Sequence, residues 1–310
     1  MKIRIGLGLA IFPFDDARGF WRWIEQLEAS TCDSFWQTDR LISSTPQLEV
    51  MSTMAALAGA TRRLKFGMNV TVVTLRDPLV LAKECATIDY LSGGRLLPAF
   101  GVGPDIAPEW PVLGGAPKAR GARADEALEI MARLWAEERV TYHGKHYHYD
   151  DARIAPRPVQ QPLPLWIGGR SAAAIRRTAR VGTGWLGGVD TPEQAGEVIA
   201  AIRVVSREAG RPVDEDHYGA SFAFRFGSSD EPIVQTTAMV LSRLAGTTDP
   251  RRHVAVGDAA AIAARIREFI AVGATKFVVR PIALGEDDVR EQTARLLAEV
   301  LPAVQTPHAT

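Results

Sequence analysis

Short runs of β-branched or apolar residues alternate along this chain with longer runs whose apolar positions recur at helical spacing, the pattern of β/α units. Ile3–Leu9 predicts a first strand, followed by a helix around Gly19–Ala29. Ser34–Thr38 reads as the second strand, with a helix from about Leu48 to Ala60, and Leu64–Val73 as the third. Asp77 and Pro78 read as the N-cap and first residue of the next helix, because aspartate accepts an orphan N–H and proline has none to lose. Ser92-Gly93-Gly94 turns the chain into a fourth strand, Leu96–Val102. Arg120–Ala136 carries Ala124, Ala127, Leu128, Met131 and Leu134 as one stripe with charges opposite, which predicts a helix lying on a sheet.

Tyrosines and histidines alternate around Gly144 from Val140 to Tyr149 and predict a hairpin; a proline-rich stretch then leads into a fifth strand near Leu165–Ile167. Gly184–Leu186, Tyr218–Phe226 and Lys276–Arg280 read as strands six to eight. Thr191-Pro192-Glu193-Gln194 has the form of a capping box. Asp258–Val272 predicts a helix, and a last helix precedes a polar tail. Eight strand–helix units with no linker between halves predict one α/β domain over residues 1–310, a (β/α)8 TIM barrel with an insertion after strand 4 and another after strand 7. A doubly wound sheet is the rival. Its fingerprint is incomplete, since neither Gly6-Leu7-Gly8 nor Gly101-Val102-Gly103 has a third glycine in place.

Composition narrows the function classes. The 310 residues are 46% hydrophobic, with 36 basic side chains balancing 36 acidic ones. Disorder is excluded, and the balance removes the basic footprint of a nucleic-acid or membrane-surface binder. Cys32 and Cys85 are the only cysteines, too few for a disulfide framework or zinc ribbon. With no signal-peptide pattern at the start and no window apolar enough to cross a bilayer, the expectation is a cytoplasmic protein acting on a small molecule.

In a barrel the strand ends face one mouth, so the informative residues are those just after each strand. Asp39 and Arg40 follow strand two and place a carboxylate beside a guanidinium, as a reactive pair, a structural ion pair or a loop cap. Asn69-Val70-Thr71 interrupts an apolar run with an amide side chain, either a bulge under a planar ligand or a residue with a buried partner. Gly101, Val102 and Gly103 let backbone approach a ligand, or make a tight exit. Gly168, Gly169, Arg170 and Ser171 join a double glycine to a guanidinium, a hydroxyl and a helix start, which favours an anion such as phosphate. A plain βα turn with a serine N-cap is the alternative. Arg280-Pro281 is too short to weigh alone. His143, His146 and His148 lack a carboxylate or cysteine at ligand spacing, so they read as hairpin residues and no metal is expected.

Several segments together resemble the bacterial luciferase-like family of flavin- and deazaflavin-dependent oxidoreductases. They are Ala60-Thr61-Arg62-Arg63-Leu64-Lys65-Phe66-Gly67, Leu75-Arg76-Asp77-Pro78, Asp89-Tyr90-Leu91-Ser92-Gly93-Gly94-Arg95, Arg120-Gly121-Ala122-Arg123 and Leu165-Trp166-Ile167-Gly168-Gly169. The likeness is greatest to the short deazaflavin-type members. It implies the same barrel, usually as a homodimer, with FMN or coenzyme F-420 at the mouth delivering hydride or activated oxygen to a small organic substrate. By position, Asp39 and Arg40 would lie near the reactive edge of the ring. Asn69, Val70 and Thr71 fall where relatives carry a bulge with a non-proline cis peptide. Val102 and Gly103 would touch the cofactor through backbone, and Gly168 to Ser171 would hold its phosphate.

Two departures stand out. Many relatives carry histidine where Arg40 stands, and a guanidinium cannot exchange a proton near neutral pH. After Gly103, where sugar-phosphate dehydrogenases of the family have glutamate, this chain has Pro104, then Asp105 and later Glu109. Sugar-phosphate oxidation is thereby disfavoured. A flavin-binding protein without turnover is the alternative these departures leave open.

Overall fold

Strands and helices alternate from the start of the chain: β1 (Arg4–Leu9), α1 (Ala17–Glu28), β2 (Ser34–Gln37) and α2 (Val50–Ala60). The computed structural model describes residues 2–9, 11–115 and 117–307. The last positions of the expected polar tail, 308–310, lie outside the described residues. Asp16 accepts from the Gly19 N–H at 2.8 Å and so fixes where α1 begins. The helix turns Phe20, Trp23, Ile24 and Leu27 onto the sheet, where Trp23 meets Phe35 edge to face.

The third expected strand is not continuous. Asn69 and Val70, joined by a cis peptide bond, divide Leu64–Val73 into β3 (Lys65–Met68) and β4 (Thr71–Val72). The fourth is divided as well, into β5 (Leu96–Leu97) and β6 (Ala99–Gly101), at Pro98, which has no N–H for a ladder. Between these strands lies α3 (Pro78–Ser92). Asp77 caps it through the Leu79 and Val80 N–H groups, and the left-handed Gly93 ends it.

After β6 come α4 (Glu109–Val112), α5 (Arg120–Ala136) and an antiparallel hairpin of β7 (Val140–His143) and β8 (His148–Ala152). Then follow β9 (Trp166–Gly168), α6 (Ala172–Val181), β10 (Gly184–Leu186) and α7 (Pro192–Glu208), whose capping box joins Thr191 to Gln194 in both directions. The remainder is β11 (Tyr218–Phe226), α8 (Pro232–Ala245), β12 (Val254–Gly257), α9 (Ala259–Ala271), β13 (Lys276–Pro281) and α10 (Gly285–Arg295).

Apart from the hairpin, the strands make one curled, barrel-like parallel sheet. Its pairings run β4-β6-β9-β10-β11-β13-β1-β2-β3-β5. Because β3 with β4, and β5 with β6, are pieces of two neighbouring stretches, β3 lies beside β5 and β4 beside β6. β12, in a stretch the sequence offered only as mixed insertion, pairs with the last part of β11.

The main core lies between sheet and helices. A second, small cluster of Trp36, Ala99, Trp166, Leu186 and Val278 gathers residues of β2, β6, β9, β10 and β13 on the inner face. Alternation along β13 puts Lys276, Val278 and Arg280 on that face in a column. Gly8 of β1 leaves room for it, since a Cβ there would stand 3.0 Å from Val278 Cγ1 and 3.4 Å from Arg280 Cγ.

Candidate active site

The C-terminal ends of the parallel strands surround a cleft of about 570 Å3. Ile11 after β1, Thr38 and Arg40 after β2, Asn69 and Val70 between β3 and β4, and Arg280 of β13 line one part of it, Ile11 and Arg40 being exposed. The turns after β9 and β10 contribute Gly168, Gly169, Arg170, Gly188, Val189 and Asp190, and α8 covers the space with Thr236, Thr237, Val240, Leu241 and Leu244.

Val70 is wedged between two strands. A Cβ on Gly101 would meet its Cγ2 at 2.7 Å, and one on Gly168 its Cγ1 at 3.0 Å, so both glycines supply the space this side chain fills. Asn69 Nδ2 donates to Ser221 Oγ at 3.2 Å and is thereby tied to β11. In the next turn Gly169 adopts φ 101°, a left-handed conformation that suits glycine, and its carbonyl accepts from Trp185 Nε1 at 2.8 Å. Ser171 is the N-cap of α6, its hydroxyl accepting from the Ala174 N–H at 3.2 Å. Arg170 donates to the Ala245 carbonyl at 2.5 Å, at the C-terminus of α8, and stands 3.9 Å from Asp190.

Asp39 and Arg40 do not pair with each other. The Asp39 carboxylate is buried and accepts from Arg76 Nη1 at 2.7 Å, Arg76 Nη2 at 3.1 Å and the Val72 N–H at 3.1 Å. It therefore fastens the loop after β2 to β4, and Glu49 also accepts from Arg76 at 2.7 Å. Burial opposes the charge on Arg76, but its hydrogen bonds to the Asp39 and Glu49 carboxylates, together with their negative charge, outweigh it and raise its pKa. Arg40 extends from the next position into the cleft without a hydrogen bond or ion pair among the described residues.

Of the residues singled out in the sequence, Arg40, Asn69, Val70, Gly168, Gly169 and Arg170 meet at the cleft. Asp39, Thr71, Gly101, Val102, Gly103 and Ser171 are not part of its lining. Thr71 is fully buried with its hydroxyl unpartnered, and Gly103, at φ 68°, offers its carbonyl to Arg120 Nε at 3.2 Å. On the remote hairpin, His143 pairs with Asp150 at 2.7 Å and stacks on His148.

Sequence reasoning missed one lining group, Asp190, and left another, Arg280, unweighed. Asp190 is buried; its Oδ2 accepts from the Gly188 N–H at 3.1 Å, and burial raises its carboxyl pKa against the opposing charge of Arg170. Arg280 is enclosed by protein apart from its opening to the cleft, and burial pushes its pKa down to about 10, so it stays protonated at neutral pH. Its one hydrogen bond goes to the Gly188 carbonyl at 3.3 Å. The available signal was the strand period, which turns a guanidinium inward at the end of strand eight.

A family model described as luciferase-like monooxygenase matches residues 6–273. An uncharacterised protein of Mycobacterium tuberculosis is 35% identical over 167 residues, 54% of this chain and 57% of its own length. An F420-dependent glucose-6-phosphate dehydrogenase of Nakamurella multipartita is 29% identical over 219 residues, 66% of this chain and 63% of its own. The chain thus spans less than two thirds of the length of each of these two relatives. The structure of an F420-dependent secondary alcohol dehydrogenase in complex with an F420-acetone adduct superposes with a TM-score of 0.83 at 19% identity, covering 99% of this chain and 100% of that one, a likeness of fold. A curled parallel sheet with its cleft at the strand ends is what such a match requires, and the chain belongs to the luciferase-like monooxygenase family.

Proposed function

We propose that the protein is an oxidoreductase that binds coenzyme F-420 or FMN in the cleft and delivers hydride or activated oxygen to a small organic substrate. The observation that carries this is the Asn69-Val70 step, held in the lining of the cleft by Gly101 and Gly168 on one side and Ser221 on the other. It offers a flat apolar seat to a planar ring. Gly169 in its left-handed conformation and the first-turn N–H groups of α6 fit a phosphate beside that seat. Support for F-420 comes from the dehydrogenase relative.

We also read the curled sheet as a closed (β/α)8 barrel, with insertions around α4 after the fourth strand and around α8 and β12 after the seventh. A cytoplasmic homodimer is the expected state.

When bound, the cofactor supplies the redox chemistry; the chain supplies position and charge. Arg40 and Arg280 stabilise negative charge in the cleft, while neither exchanges a proton near neutral pH. Asp190, whose carboxyl pKa burial raises against the opposing charge of Arg170, is the acidic side chain of the lining, its Oδ1 facing that guanidinium. Val240, Leu241 and Leu244 of α8 exclude water from above.

Titration of the purified protein with each cofactor, followed by tryptophan fluorescence, tests the reading. Saturable binding, and reoxidation of the reduced cofactor by oxygen or an organic acceptor faster than in free solution, are expected. Failure of both cofactors to bind would overturn it; tight binding without any acceptor would leave a carrier protein instead of an enzyme.

A further inference from the structure

The charges around the cleft do not balance. Arg40, Arg170 and Arg280 face it against the single carboxylate of Asp190, and that carboxylate is already shared between Arg170 and the Gly188 N–H. Among the described residues Arg280 has no ion pair. A guanidinium removed from bulk water without a counter-charge is unfavourable in the chain alone, and an anion brought to it recovers that loss through two parallel hydrogen bonds.

The rest of the lining indicates what kind of anion. Ile11, Leu186, Val189, Val240, Leu241 and Leu244 make an aliphatic stretch of the wall, with hydroxyls only from Thr38, Thr236 and Thr237. A hydrocarbon or aryl body would cover that stretch and remove it from water.

Resting on the cofactor reading above, we propose that the substrate is an apolar carboxylic acid, its carboxylate held by Arg280 and its body lying along the aliphatic wall beneath α8. Arg280 is then a specificity-determining residue. Arg40, exposed at the rim, draws anions toward the opening.

The test uses the whole chain, with and without saturating cofactor, and two ligand pairs: 4-phenylbutyrate against 4-phenylbutanamide, and octanoate against octanamide. Calorimetric titration of the wild type is expected to favour each acid over its amide by about tenfold or more, the scale of a charge-assisted hydrogen bond. Arg280→Met is expected to abolish that preference while leaving amide and cofactor affinities within about twofold; Arg280→Lys, which keeps the charge, is expected to restore part of it. Equal binding of acid and amide by the wild type, or a preference that survives Arg280→Met, overturns the proposal. So does a loss of cofactor affinity in Arg280→Met, which would assign the guanidinium to the cofactor. The cofactor-free titrations keep this result separate from that of the cofactor reading.

Discussion

The inner face of the curled sheet carries charge at both ends, buried at one and half-buried at the other, handled in opposite ways. At the N-terminal end of the strands Lys276 of β13 pairs with Asp33, whose carboxylate also has Arg4 at 3.8 Å. At the C-terminal end of the same β13, two inward residues further on, Arg280 has no counter-ion. One strand and one face thus hold a neutralised cation below Val278 and an unneutralised one above it. Pairing closes the lower end as part of the fold; the upper end is left electrostatically incomplete in the place where a ligand enters.

The largest effect is expected from breaking the lower pair. Asp33→Ala strands the Lys276 ammonium and should lower stability by about 3–5 kcal/mol in denaturant titration. A loss below about 1 kcal/mol would mean that the two ends do not differ as described. Next comes pH. Burial raises the Asp33 pKa, but the charges of Lys276 and Lys65 and the hydrogen bond from Lys276 outweigh it and hold the carboxyl at about 2, below its ordinary 3.8. The folded-state pKa is the lower one, so this stabilisation is complete above pH 3.8 and is lost as pH falls through about 2. It amounts to roughly 2 kcal/mol. Unfolding curves of wild type and Asp33→Asn should accordingly converge between pH 4 and 2.

Smaller changes belong to the upper end. Ser171→Ala removes the cap of α6 and should reduce stability by about 1 kcal/mol, while weakening cofactor affinity if the phosphate sits at that turn. Unchanged affinity in both Ser171→Ala and Arg170→Ala would detach the phosphate from it. Arg280→Met should alter stability by less than about 1 kcal/mol, or raise it, because no counter-ion is left behind and its one partner among the described residues, the Gly188 carbonyl, lies at 3.3 Å. A loss as large as that of Asp33→Ala would reveal a structural role. Smallest of all, Thr71→Val replaces a buried hydroxyl without a partner and should be neutral or slightly stabilising in thermal melts.

How far the sequence could be read followed how local each signal was. β1, β11 and β13 are regular runs, and their alternation alone predicted them. The caps Asp77 and Thr191 were legible because each acts within three residues of its own position. Asn69 marked its division by putting an amide in an apolar run, and the family likeness implied the cis peptide, but the division at Pro98 was read through as one strand. Asp39 was set beside its neighbour Arg40, whereas its partner is Arg76, 37 positions away, brought in by the turn between β4 and α3. Asp190 escaped for the same reason, its charged neighbour Arg170 standing on the turn after another strand. Arg280 was noticed but not weighed, because what singles it out is a missing counter-ion, and that leaves no mark in a sequence.

The short β12 resolves a mismatch of lengths. β10 has three residues and β11 has nine, and β13 occupies the other flank of β11 at Ala223 and Phe224, where β12 also pairs. Val254–Gly257 therefore continues the flank on which β10 stops. Without it, the far half of the longest strand would present a bare ledge of main-chain donors and acceptors, the template on which a second molecule adds a strand and from which aggregates grow. The segment thus keeps that edge from serving as such a template.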